Sequence, residues 1–170
     1  MNEPQNVALS PYSPLWPAVF DIEKQNLLRL LGEAVVIEHI GSTAVPGLGA
    51  KPIIDMMAGT PDLAIVERRI PELQAEGWRY VPEFEKAVPD RRYFTRYDSA
   101  PGKFHLHVVV LGGPFWKRQI AFRDALRGSE QLAQQYWRIK QRCAARFPDD
   151  RTAYNEAKGD FIRSVIEPGR

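Results

Sequence analysis

One aspartate lies within an apolar run, and a glycine–serine turn and a lysine precede it along the chain. The run is PIIDMMAG, in which the acid is Asp55; the turn is Gly41, Ser42 and Thr43, and the lysine is Lys51. Turn amides and hydroxyl groups can hold phosphate oxygens, and a carboxylate can hold a divalent cation that bridges them. An aspartate is costly to bury among apolar residues unless it has partners. The segment therefore predicts a phosphate-binding site in which Asp55 is a catalytic, metal-holding residue.

Two familiar glycine-rich phosphate sites are excluded by the neighbours of Lys51. A P-loop needs Gly-Lys-Ser/Thr at the start of a helix, whereas Ala50 precedes this lysine and Pro52 follows it. A residue before proline is driven out of the helical region, so Lys51 enters a strand. The glycines also lack the spacing of the dinucleotide-binding fingerprint. The layout that fits is a strand, a Gly-Ser turn, a loop and a second strand that carries the acid.

Three histidines are the other candidate ligands. His105 and His107 are two residues apart in a predicted strand and therefore share a face. His39 and Glu38 face opposite ways on their strand, and we expect His39 to reach the pocket because it lies next to the turn. One aspartate with imidazoles suits Zn²⁺, Mn²⁺ or Fe²⁺ better than Mg²⁺. The predicted metal ligands are thus Asp55, His39, His105 and His107, and His107 is also assigned as a catalytic base.

Hydrophobic periodicity, caps and breakers predict the elements that must position these groups. They indicate an α/β (α+β) fold, in which a mixed sheet is flanked by helices and a helical layer follows at the C-terminal end. The predicted helices span residues 14–31, 61–76 with a break at Pro71, 115–127, 129–147 and 150–166. The predicted strands span residues 34–40, 52–59, 78–81, 91–97 and 103–111, the last two joined by a turn at 98–102.

The composition is typical of a soluble globular protein. The 170 residues are 44% hydrophobic and 26% charged, with a formal net charge of +2. A single domain of residues 1–170 is expected at this length. One cysteine, Cys143, excludes an intrachain disulfide and fits a reducing cytoplasm. No segment has the length of a membrane-spanning helix, and the first residues lack the pattern of a signal peptide, so we expect a cytoplasmic protein without membrane association.

Basic and aromatic residues alternate from Arg91 to Tyr97. Such a stretch can pair with phosphates and stack on bases of nucleic acid, but an ordinary exposed strand looks the same. Because the net charge is small, nucleic acid is a less favoured partner than a small phosphorylated ligand or nucleotide. Two basic residues of the C-terminal helices, Arg123 and Lys140, are expected in helix packing and surface ion pairs.

The strand, Gly-Ser turn and aspartate strand resemble the nucleotidyltransferase superfamily, whose signature continues as Asp-x-Asp. The chain as a whole is similar to the GrpB family. The segments that carry this similarity are SPYSPLWPAVF, EHIGSTAVPGLGAKPIID, FHLHVVV, AFRDALRGSEQLAQQY and YNEAKGDFI. The resemblance implies the nucleotidyltransferase fold, with Gly41, Ser42, Thr43 and Lys51 around the phosphates of a ligand and a divalent metal (Mg²⁺, Mn²⁺ or Zn²⁺) on Asp55.

The chain departs from the catalytic pattern at one position. Met57 stands where Asp-x-Asp has its second carboxylate, and a thioether is a poor ligand for a hard cation. Three functions therefore remain open. The first is a nucleotidyltransferase-like protein that binds a nucleotide and transfers a nucleotidyl group. The second is a non-catalytic ligand-binding or interaction module on the same fold, and the third is a metal-dependent hydrolase that uses His and Asp.

Overall fold

A computed structural model describes residues 7–97 and 102–167. Its five strands are β1 (Val36–Ile40), β2 (Ile54–Thr60), β3 (Arg79–Tyr80), β4 (Arg91–Arg96) and β5 (Phe104–Val110). Its helices are α1 (Trp16–Leu31), α2 (Leu63–Glu67), α3 (Ile70–Ala75), α4 (Pro114–Gly128), α5 (Glu130–Arg146), α6 (Arg151–Ala157) and α7 (Gly159–Ile166). Short 3₁₀ turns span Ser42–Ala44 and Pro82–Phe84. The mixed α/β class expected from the sequence is confirmed.

The strands form one sheet in the order β1-β2-β5-β4-β3. Strands β2 and β5 are parallel, and the other three pairs are antiparallel. The register places His105 beside Asp55 and His107 beside Met57. Because side chains alternate along a strand, these four residues lie on the same face of the sheet. Strands far apart in sequence thus bring the predicted acid and two predicted histidines together.

The opposite face of the sheet packs on helices α1, α2 and α3. Helix α1 presents buried residues at helical spacing, and strands β2, β4 and β5 contribute their even-numbered apolar positions. This core contains, among others, Phe20, Leu27, Val66, Leu73, Trp78, Ile54, Met56, Phe94, Phe104 and Leu106. These side chains are at most 7% exposed. This face is therefore filled mainly by apolar packing, with a buried ion pair between Glu23 and Arg96, and the predicted acid with His105 and His107 lies on the other side.

The face that carries Asp55 is covered in two parts. Helix α4 covers β1 and the later part of β2 and β5, where Ile40, Met57 and Val109 pack with Phe115 and Trp116. Helices α5 to α7 form a further layer against α4, which confirms the helical C-terminal layer. In the described ranges, no helix is long and apolar enough to cross a membrane.

Three predicted helix boundaries are wrong for local reasons. The first helix begins at Trp16, with Pro17 in its first turn, instead of at Pro14. The helix expected from residue 61 begins at Leu63, because Asp62, whose carboxylate accepts from the Ala64 N–H, caps it. The break expected at Pro71 is observed, since a second helix begins at Ile70 with Pro71 in its first turn. The last predicted helix is divided between α6 and α7 at Lys158. The predicted turn at residues 98–102 lies, except for Gly102, outside the described residues.

Candidate functional site

A cavity of about 670 Å³ opens between the sheet and helices α5 and α6. Asp55, His105 and His107 form part of its floor, and Ser42, Thr43 and Lys51 lie at the loop side, as the sequence predicts. The helices that close it contribute further residues, to which the sequence patterns assign no site role. These include Lys140, Arg151, Tyr154, Asn155 and Lys158.

The backbone of Gly41 lies directly against the side chain of Asp55. Its φ is +69°, and a Cβ built on it would lie 2.6 Å from Oδ2 of Asp55. Only glycine combines this backbone conformation with so close an approach. The sequence pattern predicts that Gly41 admits a phosphate to the backbone. The structure shows the Asp55 carboxylate close to Gly41, and the approach of a phosphate to this backbone stays a prediction.

Asp55 is the end of a short hydrogen-bonded chain. His105 Nδ1 lies 2.9 Å from Asp55 Oδ1, and Tyr97 Oη lies 2.9 Å from His105 Nε2. Burial opposes ionisation of Asp55, but the hydrogen bond from His105 and the electrostatic effect of nearby groups, including Lys51, outweigh it, and the pKa of this carboxyl falls to about 2. An ionised carboxylate only accepts, so Nδ1–H of His105 donates to it and Nε2 accepts from the Tyr97 hydroxyl. Both ring nitrogens of His105 are thereby engaged.

His107 is held as the neutral imidazole. Arg91 Nη1 lies 3.4 Å from its Nδ1, and an arginine can only donate, so Nδ1 carries the lone pair and Nε2 the proton. Burial lowers the pKa of His107 to about 3, with a further contribution from the positive charge of Arg91. The rings of Tyr93 and Phe115 lie 4.9 and 5.7 Å from the imidazole. His107 therefore lies in the cavity as predicted, although its lone pair points to a cation.

The assignment of His39 to the metal site is wrong. Its register partner is Met56, whereas Asp55 is paired with Ile40, so His39 lies on the α1 face of the sheet. There it stacks on Phe20 with ring centroids 4.6 Å apart. Its Nε2 lies 3.0 Å from the hydroxyl of Thr43. Strand alternation persists to the last residue of β1, and nearness to the turn does not overcome it.

Glu38, not His39, faces the same side as Asp55, but it is tied to helix α4. Arg123 donates to its carboxylate at 2.5 Å and to the backbone oxygen of His39 at 3.0 Å. The expected packing role of Arg123 is thus observed. Met57, two residues after Asp55, is fully buried below Phe115 and Trp116. The position of the second carboxylate in Asp-x-Asp is therefore part of an apolar cluster.

Three lysines converge on the cavity, and the sequence pattern identifies only Lys51. Lys140, expected in surface ion pairs, is 2% exposed and donates to the backbone oxygen of Gly49. Burial lowers its pKa to about 7, and the charge of Lys158 contributes. Burial and then the charge of Lys51 lower the pKa of Lys158 to about 8. A polar residue on the otherwise apolar face of α5 is the signal that could have identified Lys140.

The cavity offers a poor donor set for a divalent cation. Asp55 supplies the one carboxylate of the cavity lining, and the lone pairs of His105 and His107 are engaged by Tyr97 and Arg91. Within residues 7–97 and 102–167, no group of three or more His, Cys, Asp or Glu side chains could hold a metal ion. Six lysines and arginines line the same cavity and repel a cation. These residues do not fit a resident divalent metal.

The family follows from a comparison of the whole chain with known proteins. A family model described as GrpB protein matches residues 6–168. The chain belongs to the GrpB family. It is 32% identical to the glutamate-rich protein GrpB of Alkalihalophilus pseudofirmus, over 94% of each protein. It is 34% identical to the UPF0157 protein YqkA of Bacillus subtilis, where 96% of this chain spans 47% of that relative.

Solved structures place this GrpB-family chain in the nucleotidyltransferase fold. The crystal structure of conserved protein GrpB from Enterococcus faecalis gives a TM-score of 0.83 at 31% identity, covering 94% of this chain and 95% of that one. A crystal structure of the Cid1 poly(U) polymerase gives a TM-score of 0.59 at 12% identity, covering 93% of this chain and 53% of that one. The second likeness concerns the fold alone. A more distant relative by sequence, 28% identical over 94% of this chain and 45% of its own length, is named dephospho-CoA kinase, from Mycolicibacterium paratuberculosis.

Proposed function

We propose that this GrpB-family protein binds a nucleotide or another small phosphorylated molecule in the cavity above Asp55. The observation that carries the proposal is the charge of the cavity lining. Among the described residues it combines a single carboxylate with Lys51, Arg79, Arg91, Lys140, Arg151 and Lys158. Such an excess of positive charge in a partly desolvated concavity favours an anionic ligand. The hydroxyl of Ser42 lies at the same lining and can donate to a phosphate oxygen.

An apolar rim supports a nucleotide over a bare phosphate. Phe84 lines the cavity with Val81 and Ile53, and it is 48% exposed despite its size. Its ring makes a T-shaped contact with the ring of Tyr93, with centroids 5.4 Å apart. A base that stacks on an aromatic side chain gains about 1–3 kcal/mol. Phosphates on the lysine side and a base on Phe84 would use both parts of the cavity.

Binding, and not metal-dependent nucleotidyl transfer, is the function that the donor set supports. Nucleotidyl transfer in this fold is expected to use carboxylate-held metals, and Met57 removes one of those carboxylates. The hydrogen bonds that link Asp55, His105 and Tyr97 orient these side chains at the cavity floor. The phosphorylated-ligand module is therefore the proposed function, and transfer to an acceptor is an additional outcome that a pyrophosphate-release assay would detect.

Isothermal titration calorimetry tests the proposal with ATP, UTP, dephospho-CoA and pyrophosphate as probes. Dephospho-CoA is included because one relative is named dephospho-CoA kinase. We expect at least one nucleotide to bind. Phe84→Ala should weaken the binding of the nucleotide about tenfold, because stacking on the ring is lost. The affinity for pyrophosphate, which has no base, should be unchanged.

Lys117→Met is the matched control, since Lys117 is exposed on α4 and outside the cavity lining. It removes one positive charge without touching the site, so affinity should be unaltered. If none of the phosphorylated probes binds to the wild-type protein, the proposed function is wrong.

A further inference from the structure

Three ammonium groups line the cavity from three different segments. Lys51 comes from the loop before β2, Lys140 from α5, and Lys158 from the junction of α6 and α7. Lys51 and Lys158 lie against the same ring, with Nζ atoms 5.7 and 4.4 Å from the centroid of Tyr154. Lys140 Nζ lies 5.0 and 5.2 Å from the ring centroids of Tyr136 and Trp137. Aromatic faces and one backbone oxygen thus hold the lysines at the lining.

In the part of the chain that the structure describes, these lysines form no ion pair with a carboxylate, and the charge of Asp55, which raises their pKa values, does not offset the effect of burial. None of the ion pairs found there joins Lys51, Lys140 or Lys158 to a carboxylate. Lys140 is nonetheless 2% exposed, and buried ammonium groups are costly without partners. Burial lowers the pKa of each lysine, and the charge of a neighbouring lysine lowers those of Lys140 and Lys158 further. Such an arrangement favours an anion that enters from outside.

The same cavity has little to offer a metal. Its one carboxylate, on Asp55, already accepts from His105, and the residue two positions later is the buried Met57. In a metal-assisted site, the cations neutralise the phosphate chain and the protein supplies oxygen ligands to the cations. Here the protein supplies the positive charges directly. A monophosphate carries too little negative charge to balance three ammonium groups, whereas a diphosphate or triphosphate carries enough for all of them.

We propose that the cavity binds the diphosphate or triphosphate part of its ligand as the metal-free anion, with Lys51, Lys140 and Lys158 in place of divalent cations. The proposal rests on the proposed function and names its ligand class. In this arrangement the charge of Asp55 lowers the affinity for the anion, because a carboxylate close to phosphate oxygens repels them when no cation lies between. A metal-dependent site requires the opposite behaviour, since its carboxylate holds the bridging ion.

The test compares calorimetric titrations of ATP and pyrophosphate in EDTA and in excess MgCl₂ or MnCl₂. We expect binding in EDTA to be at least as tight as with metal. Asp55→Asn should tighten binding in EDTA severalfold. Lys158→Met should weaken it about tenfold, and Lys117→Met should leave it unchanged. MnCl₂ alone, titrated into the protein, should give no saturable binding.

The titrations distinguish a failure of metal-free recognition from a failure of the proposed function. Binding that requires Mg²⁺ or Mn²⁺ and is lost in Asp55→Asn would refute metal-free recognition and leave the proposed function standing. Absence of binding with or without metal would refute the proposed function itself. Lys158 and Lys51 are only half-buried, so Lys158→Met and Lys51→Met keep the test decisive if the buried Lys140→Met fails to fold. Thermal unfolding of each variant establishes that it is folded before titration.

Discussion

The Asp55 carboxylate packs against the backbone of Gly41, so closely that a Cβ at position 41 would lie 2.6 Å from Oδ2. Gly41 also has a φ of +69°, which side-chain-bearing residues rarely adopt. The glycine of the predicted phosphate turn is thus required by the acid of the neighbouring strand. The two residues that the sequence suggests as partners around a ligand are direct packing partners of each other.

Gly41→Ala should destabilise the protein and displace Asp55. Gly47→Ala is the matched control, because Gly47 has a φ of +76° but no atom lies within 4 Å of where its Cβ would be. We expect the control to cost about 1–2 kcal/mol of unfolding free energy from backbone strain. Gly41→Ala should cost about 1–3 kcal/mol more from the clash. Urea unfolding measures both, and equal costs would contradict the close contact; in an Asp55→Ala background the excess should largely disappear.

Met57→Asp should not recreate a metal site. The side chain of position 57 is fully buried below Phe115 and Trp116, so a carboxylate there would be unpaired in an apolar cluster. We expect a loss of about 3–5 kcal/mol in unfolding free energy, whereas Met57→Leu should cost less than about 1.5 kcal/mol. Chemical unfolding and a Mn²⁺ titration of the folded variant provide the measurements. Saturable Mn²⁺ binding by Met57→Asp would show that position 57 reaches the cavity.

The stability should fall as the pH is lowered from about 6.5 to about 4. Burial lowers the pKa of His39 from 6.5 to about 4, so the unfolded chain binds a proton more readily than the folded one in this window. Protonation therefore favours unfolding, by about 3 kcal/mol for this residue at the acid end. His107 acts in the same direction, because burial lowers its pKa as well. Asp55, with its pKa lowered to about 2, adds its own loss only below 3.8.

His39→Gln tests this origin of the acid sensitivity. The glutamine cannot titrate, so the free energy of unfolding should depend less on pH between 6.5 and 4 than in the wild type. Denaturant unfolding at several pH values measures the difference. An unchanged pH profile would mean that His39 is accessible to protons in the folded protein.

Binding of a polyphosphate should take up protons near pH 8. The pKa of Lys140 is lowered to about 7 and that of Lys158 to about 8, chiefly by burial, with further lowering from neighbouring cations. An anion beside them raises both pKa values, while Asp55 is ionised throughout this range. Affinity for pyrophosphate should therefore decrease as the pH rises through 7 to 8. Calorimetry in buffers of different ionisation enthalpy counts the protons; no uptake would contradict direct contact between the lysines and the anion.

Much of the site can be predicted from the sequence because its evidence is local. The placement of Asp55 and His105 in strands, and the shared face of His105 and His107, need only strand alternation. The prediction for His39 is wrong because it gives nearness to the turn more weight than that alternation. The prediction of a surface ion pair for Lys140 is wrong because helical spacing says which residues share a face but not what that face contacts.

The family, the order of strands and helices, and the loss of the second carboxylate at Met57 are all accessible from the amino-acid sequence alone. Those features depend on local patterns of side-chain chemistry and spacing. The meeting of Lys51, Lys140 and Lys158 above Asp55 is visible only in the folded chain, as is the engagement of the histidine lone pairs by Tyr97 and Arg91. The histidine contacts join the neighbouring strands β4 and β5, with Tyr97 directly after β4, and the register of that pair determines them. The three lysines come from segments far apart in the chain, and the packing of α5 and α6 over the sheet brings them together. The electrostatic character of the cavity is for that reason a property of the packed layers.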